Sequence, residues 1–256
     1  AYGIHEGLVG WEMCIRDSYQ TRWAVYFDVK VIQLESVDST NAYAKLLLET
    51  GHKSPFWIAA DLQTNGRGRY QRKWISDKGN LFCTRVYSVG NDLEHASNLS
   101  FVAALAVAET LLKFVSPELI KIKWPNDVLL RGKKVSGILL ESFNCRNKNY
   151  IIIGIGINLS HHPEGNLYPA TNLLDNISAK SFKLSPSGIL DILIDRFETI
   201  NEIYFKEGFT AIREQWLQIS HNIPGEVEVK LLNEHFSGRA TGIDLNGSLL
   251  VSLPDG

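Results

Sequence analysis

Residues 120–159 read IKIKWPNDVLLRGKKVSGILLESFNCRNKNYIIIGIGINL. Four apolar, β-branched-rich runs (IKIKW, DVLL, KVSGILLES and YIIIGIGINL) are punctuated by turn residues at PN, RGK and NCRNKN. Short strands separated by such turns predict a largely antiparallel meander, and this stretch sets the expectation of a sheet protein. Upstream, VKVIQLE (29–35) alternates as a strand. DSTNAYAKLLLETG then supplies cap-forming Ser39, Thr40 and Asn41, good helix formers, and Gly51 as a stop. FWIAADLQ (56–63) and NLFCTRVY (80–87) read as two more strands, with a basic loop held between them. LSFVAALAVAETLLKF (99–114) is apolar almost all round, as a helix buried against a sheet must be. Ser185–Pro186 opens a long amphipathic helix with Ile189, Leu193, Phe197, Ile200 and Tyr204 on one stripe, and a shorter helix follows around Ile212–Leu217. One sheet covered by helices is an α+β fold.

After Pro224 the texture changes to GEVEVKLL, HFSGRATGID and SLLVSL, separated by Asn and Gly turns, which predicts a small β-barrel-like module. The expected organisation is therefore a leader over 1–28, a main domain over 29–222 and a C-terminal β domain over 223–256, the last ending on the turn signal PDG with a closing strand expected beyond it. The opening AYGIHEGLVGWEMCIRDSYQTRW shows neither helical nor strand periodicity and no signal-peptide architecture, so residues 1–28 are expected to be non-native or disordered.

Composition removes several classes. With 256 residues, 45% of them hydrophobic, the chain can bury one large core, or one core and a small module. Lys and Arg number 26 against 28 Asp and Glu, a net charge of -2, so any binding of anions has to be local. The three cysteines, Cys14, Cys83 and Cys145, are scattered without a C-x-x-C pair, against both a disulfide framework and structural zinc; a cytoplasmic location is expected. The longest apolar run, FVAALAVA (101–108), falls far short of the roughly 20 residues of a membrane span.

Local charge is found in TNGRGRYQRKW (64–74), where Arg67, Arg69, Arg72 and Lys73 stand without an acid. Gly66 and Gly68 let backbone N–H groups approach a ligand, and planar guanidinium groups suit carboxylate or phosphate oxygens. Such a loop can equally be a solvated surface, but Trp74 closes it with an aromatic that can stack on a ring. A second constellation spans KWPNDVLLRGKKVSGILLE (123–141). There Asn126 can hydrogen-bond a base or ribose, Asp127 can accept a hydrogen bond or face a magnesium ion, and Lys123 and Lys134 bracket them with positive charge. The turn at Arg131–Gly132 is expected to fold Lys134 back toward Asn126 and Asp127, and Gly137 inside an apolar strand marks a close approach. A third cluster, DSTN (38–41), is a helix cap that can also grip a polar ligand.

ESVDSTNAYAK, QTNGRGRYQRKW, GNLFCTRVY, KWPNDVLLRGKKVSGILLE and IIIGIGINL occur in the order and spacing of the biotin–protein ligases, and over residues 30–253 the chain resembles that family. The loop departs at Gln71, where the family commonly has a second small glycine turn. The resemblance implies a class II synthetase-like catalytic domain with a mixed, largely antiparallel sheet, and an SH3-like C-terminal barrel. It also implies an ATP-dependent, adenylate-forming enzyme that makes biotinyl-5′-AMP and passes biotin to a lysine of a biotin carboxyl carrier protein domain of acetyl-CoA carboxylase or a related carboxylase. Ser39, Thr40, Asn41, Gln63, Arg67, Gly68, Arg69 and Lys134 would hold biotin. Trp74, Lys123, Asn126, Asp127 and Gly137 would hold ATP or the adenylate, and Arg67, Arg69 and Lys134 would neutralise charge during the chemistry. Mg²⁺ would accompany the triphosphate, with ligands the sequence does not name. A homodimer is compatible with the family; specific DNA binding is not expected, because too few residues precede the ligase region to build a helix-turn-helix domain.

Two rivals remain from the residues alone. One is a lipoate or octanoate ligase or transferase of similar fold, whose transferase form needs a cysteine nucleophile. The other is a single-stranded nucleic-acid-binding module using the Gly/Arg loop and its aromatics. GIGIN lacks the third glycine of a dinucleotide loop, there is no Walker A or G-x-S-x-G sequence, and His161 and His162 have no third ligand at metal-site spacing.

Overall fold

The computed structural model describes residues 21–26, 29–90, 96–164, 169–177, 184–230 and 235–253. The expected leader up to residue 20, Cys14 and the terminal PDG lie outside them. Eight strands form one sheet: β1 (Thr21–Tyr26), β2 (Val29–Leu34), β3 (Phe56–Ala60), β4 (Leu81–Gly90), β5 (Ile120–Lys123), β6 (Asp127–Leu130), β7 (Lys133–Cys145) and β8 (Lys148–Ile157). Their order across the sheet is β1-β2-β3-β4-β8-β7-β6-β5. Only β2 and β3 run parallel, because helix α1 (Thr40–Glu49) carries the chain between them; every other neighbouring pair is antiparallel. The expected meander is β5 to β8, with Arg131 (φ 51°) and Gly132 (φ 74°) making the two-residue turn between β6 and β7. β1 is a departure from expectation. Its sequence has no alternation, yet Thr21↔Leu34 through Tyr26↔Val29 pair in continuous register, since an edge strand needs only backbone groups to extend a ladder.

Helices cover both faces. Tyr43, Ala44, Leu47 and Leu48 of α1 pack on Ile32, Leu34, Phe56, Ile58, Val86 and Ile152. The opposite face carries α2 (Leu99–Leu111), α3 (Pro186–Glu207) and α4 (Phe209–Gln218). The helix-wide apolarity of α2 follows from its place between sheet and helices, where eleven of its thirteen residues are buried. The Ser185 hydroxyl caps α3 by accepting the Gly188 N–H at 3.1 Å, and the stripe Ile189, Leu193, Phe197 and Ile200 is buried as expected. Beneath α3 lies a polar group that periodicity does not reveal: Arg85 is 2% exposed and sits between the Trp57 and Tyr87 rings. Its guanidinium meets Glu198 of α3 at 3.0 Å, and Trp57 Nε1 donates to the same carboxylate at 3.2 Å.

Past α4 the chain forms a second sheet from β9 (Gly225–Lys230), β10 (His235–Ile243) and β11 (Leu249–Ser252), antiparallel in the order β11-β10-β9. Trp124 Nε1 donates to the Gly247 carbonyl at 2.9 Å and Arg213 donates to the Ile243 carbonyl, so this sheet is fastened to the main one.

Candidate active site

The DSTN turn and the basic loop reach one cavity through the ends of β2 and β3. Val37 and Gln63, just beyond β2 and β3, form an isolated parallel bridge, which brings the start of α1 beside the segment leading into the basic loop. Thr40 N–H and hydroxyl both donate to Gln63 Oε1, at 2.9 and 3.1 Å, and Gln63 Nε2 donates to the Ser76 hydroxyl at 3.0 Å. The expected helix cap is real, but its partner is Gln63 rather than the Ser39 side chain. Residues 66–74 close as a small hairpin: Trp74 N–H donates to the Gly66 carbonyl at 2.9 Å and Gly68 N–H to the Arg72 carbonyl at 2.8 Å. The left-handed turn residue at its tip is Tyr70 (φ 55°), directly before Gln71.

A cavity of about 530 Å³ lies between this hairpin, α1 and the β7–β8 part of the sheet. Ser39, Thr40, Asn41 and Gln63 line one end; Arg67, Gly68 and Arg69 form its cover, and Trp74 at the foot of the hairpin reaches the sheet; Asn126, Asp127, Lys134 and Gly137 line the other end. Every residue assigned from the sequence to biotin or to the nucleotide is there except Lys123, which is exposed and not part of the lining, because it alternates away from Ile122 on β5; Gly66 of the basic loop is also outside the lining. Lys134 Nζ is 2.5 Å from Asp127 Oδ1 and 5.4 Å from the centre of the Trp74 ring, so the turn folds it back as expected.

The floor is made of backbone. Gly137, Gly154 and Gly156 occupy β7 and β8, and Gly137 pairs with Gly156. A Cβ on Gly156 would lie 2.6 Å from the Trp74 indole, and one on Gly154 would lie 2.5 Å from Asn41 Oδ1. The indole and the amide therefore rest directly on the sheet, the close approach that only glycine allows.

Several side chains expected to face a ligand are also braced by the protein. Asn41 is 3% exposed; its Oδ1 accepts the Thr84 hydroxyl at 2.7 Å and its Nδ2 donates to Glu141 at 2.8 Å. Asn126 Nδ2 donates to the Ile138 carbonyl at 2.6 Å, and its Oδ1 accepts from Arg69 at 3.4 Å, so the hairpin tip reaches across the cavity. Glu141 further meets Lys45 at 2.7 Å and Arg67 at 3.5 Å. Burial pushes its pKa up, but the hydrogen bonds from Lys45 and Asn41, with the charges of Lys45 and Arg67, outweigh burial and hold it below the usual glutamate value.

Sequence reading missed the segment that steadies Lys134. Lys134 N–H donates to the Pro169 carbonyl and its carbonyl accepts from Thr171, each at 2.9 Å, while Asn158 Nδ2 holds the Thr171 carbonyl at 3.1 Å. Asn158, Pro163 and Ala170 join the lining, and no periodic signal marks them. Cys83 lies at the buried floor, 1% exposed, where burial pushes its thiol pKa far up and keeps it protonated. Cys145 is elsewhere, against the Leu48 carbonyl. Among the described residues no group of three His, Cys, Asp or Glu side chains is placed to hold a metal ion.

Cations over a deep slot, with a polar end and a backbone floor, suit anionic small molecules held under a cover. Residues 33–158 match the biotin/lipoate A/B protein ligase family. The chain is 35% identical over 227 residues to a biotin–[acetyl-CoA-carboxylase] ligase of Paracoccus denitrificans, covering 87% of this chain and 94% of that one. It is 31% identical to the bifunctional ligase/repressor BirA of Bacillus subtilis, over 91% of this chain and 70% of that one. Among solved structures, the biotin protein ligase of Aquifex aeolicus in complex with biotin and ATP superposes with a TM-score of 0.74 at 29% identity, covering 88% of this chain and 93% of the other. The chain belongs to the biotin/lipoate A/B protein ligase family.

Proposed function

We propose that this chain is an ATP-dependent biotin–protein ligase that forms biotinyl-5′-AMP and transfers biotin to a lysine of a biotin carboxyl carrier protein domain. The observation that carries the reading is the convergence of the polar α1 turn, the Gly/Arg hairpin and the Asn126–Lys134 strand pair on one cavity. In the first half-reaction the biotin carboxylate attacks the α-phosphorus of ATP and pyrophosphate leaves. In the second the carrier's lysine amine attacks the acyl carbon, AMP leaves and a proton is lost. Neither step needs a protein nucleophile, which suits a cavity whose one cysteine is buried as the neutral thiol. The protein's task is to hold two anions together and neutralise the charge between them.

Ser39, Thr40, Asn41 and Gln63 form the polar end for the biotin ring system. Arg67, Gly68, Arg69 and Lys134 surround the carboxylate and α-phosphate, while Trp74, Asn126, Asp127 and Gly137 make the adenylate end. Lys123 stands outside the lining and serves the nucleotide only by its charge. A Mg²⁺ ion would supply charge neutralisation on the triphosphate; Asp127 is the one carboxylate in the described lining, which fits an ion held mainly by phosphates and water. The mixed anhydride is labile to water, and the hairpin is placed to cover it. We read β9–β11 as part of an SH3-like barrel, residues 29–222 as the catalytic unit, and the cytoplasm as the working compartment; no described helix is long and apolar enough to cross a membrane.

ATP–pyrophosphate exchange with biotin, lipoate and octanoate offered separately, followed by labelling of a carrier domain, tests the reading. Exchange driven by biotin with label on the carrier lysine is expected. Exchange driven by lipoate or octanoate in place of biotin, or by none of the three acids, overturns it.

A further inference from the structure

We propose that Glu141 is a positioning residue for this site: one carboxylate sets the sense of the Asn41 amide and docks the Gly/Arg hairpin through Arg67. The inference rests on the ligase reading, and it names what arranges the biotin end and its cover before substrate arrives.

Glu141 is on β7, four residues beyond Gly137, with a side chain 20% exposed and outside the cavity lining. It touches three side chains from two separate elements. Asn41 belongs to the first turn of α1, Lys45 to the next turn of the same helix, and Arg67 to the basic hairpin. Positions 41 and 45 are four apart and share a helix face, so both reach the same carboxylate.

An asparagine amide can be turned either way, and its sense is set by which neighbours can only donate or only accept. Thr84 can do both. An ionised Glu141 only accepts, so it requires Nδ2 of Asn41 to face it and leaves Oδ1 for the Thr84 hydroxyl. The amide lies flat on Gly154, and its two ends cannot exchange without breaking both bonds. The polar pattern that Asn41 presents at the cavity is thus set from behind, by Glu141 at 2.8 Å and in a lesser part by the Leu139 carbonyl, 3.5 Å from the same Nδ2.

The second role concerns the hairpin. Arg67 lines the cavity and stands 3.5 Å from Glu141, whereas Lys45 is at 2.7 Å. The longer contact is an ion pair without a full hydrogen bond. It draws the hairpin's first arginine toward the sheet while leaving its donors available to an arriving carboxylate. Lys45 takes up the remainder of the charge, so Glu141 is not left uncompensated when Arg67 turns to the ligand.

Glu141→Gln keeps the size and removes both the charge and the accept-only constraint. Trypsin, which cuts after the hairpin's Arg67, Arg69, Arg72 and Lys73, is expected to open the ligand-free variant several-fold faster than wild type, because the undocked segment opens locally more often. In pyrophosphate exchange, KM for biotin is expected to rise about tenfold with kcat changed less than about twofold, and the rise is expected to shrink to under about threefold in an Arg67→Gln background. An unchanged cleavage rate, an equal rise in KM in both backgrounds, or a loss of kcat that tracks a fall in melting temperature each overturns the proposal. Glu141→Asp, which keeps the charge and shortens the reach, carries the same measurements if Glu141→Gln does not fold. The proteolysis needs no substrate, so a failure of the ligase reading, seen as absent exchange in wild type, is distinct from a failure of this one.

Discussion

Lys134 and Gly137 are three residues apart on one strand, yet both face the same cavity, and Lys134 Nζ would lie 3.1 Å from a Cβ on Gly137. In a regular strand residues three apart point to opposite faces. The register explains the exception: Val128 pairs with Ser136 and Leu129 with Lys134, so Val135 is an extra residue, a β-bulge that turns Lys134 inward beside Asp127.

Lys134→Gln removes the charge that this bulge aims. We expect kcat for pyrophosphate exchange to fall about 10²- to 10³-fold, the size seen when one preorganised charge-stabilising donor is lost. The melting temperature should move little, since the ion pair with Asp127 is partly solvated. A variant that keeps more than a tenth of wild-type kcat would remove Lys134 from the chemistry.

Gly156→Ala places a methyl group against the rigid Trp74 indole, three of whose atoms would lie within 2.8 Å of the β-carbon. Overpacking of this kind costs about 1–3 kcal/mol, and here the indole must also leave its seat. Weakened binding of both substrates and a changed tryptophan emission are expected. Unchanged emission together with wild-type affinity would mean that Trp74 does not rest on the floor.

Glu198→Ala leaves the Arg85 guanidinium 2% exposed without its carboxylate. Removing one member of a buried pair costs about 3–5 kcal/mol, because the remaining charge is uncompensated. Urea denaturation should show that loss while substrate affinities are preserved, since the pair is on the helix face opposite the cavity. A loss below about 1 kcal/mol would show that the charge finds water instead.

Glu141 gives a pH dependence of defined sign. Its pKa in the folded protein lies below the ordinary 4.5. The native state therefore binds the proton less readily than the unfolded chain, and the stabilisation is fully present above 4.5 and lost as pH falls through the lower folded value. The difference in melting temperature between wild type and Glu141→Gln should accordingly be largest near neutrality and narrow below pH 4.5. A difference that widens in acid would contradict the ion-pair network.

Most of the fold was legible because its elements carry period and punctuation. The turn at Arg131–Gly132, the cap at Ser185 and the apolar run of α2 are local signals. The three clusters that line the cavity were legible as motifs, and the resemblance put them in one site. What escaped were relations made only in three dimensions. The Val135 bulge is invisible because its sequence reads as an unbroken strand, and β1 because backbone pairing imposes no side-chain pattern. Glu141 drew no notice of its own in the sequence, since nothing local shows that α1 and the basic hairpin will meet it there. Lys123 lies outside the lining for the opposite reason: charge in a motif is no guide to the face on which a strand presents it.

The glycine floor also limits how this protein can change. A pocket walled by side chains can be reshaped one substitution at a time, by trimming here and filling there. At Gly137, Gly154 and Gly156 there is nothing left to trim, and every replacement adds atoms where Trp74, Lys134 or Asn41 already lie. Depth at this surface is already at its maximum. A variant accepting a bulkier acid must therefore gain its room from the hairpin or from the α1 turn, and a laboratory selection for such a variant should accumulate its changes there while leaving the three glycines untouched.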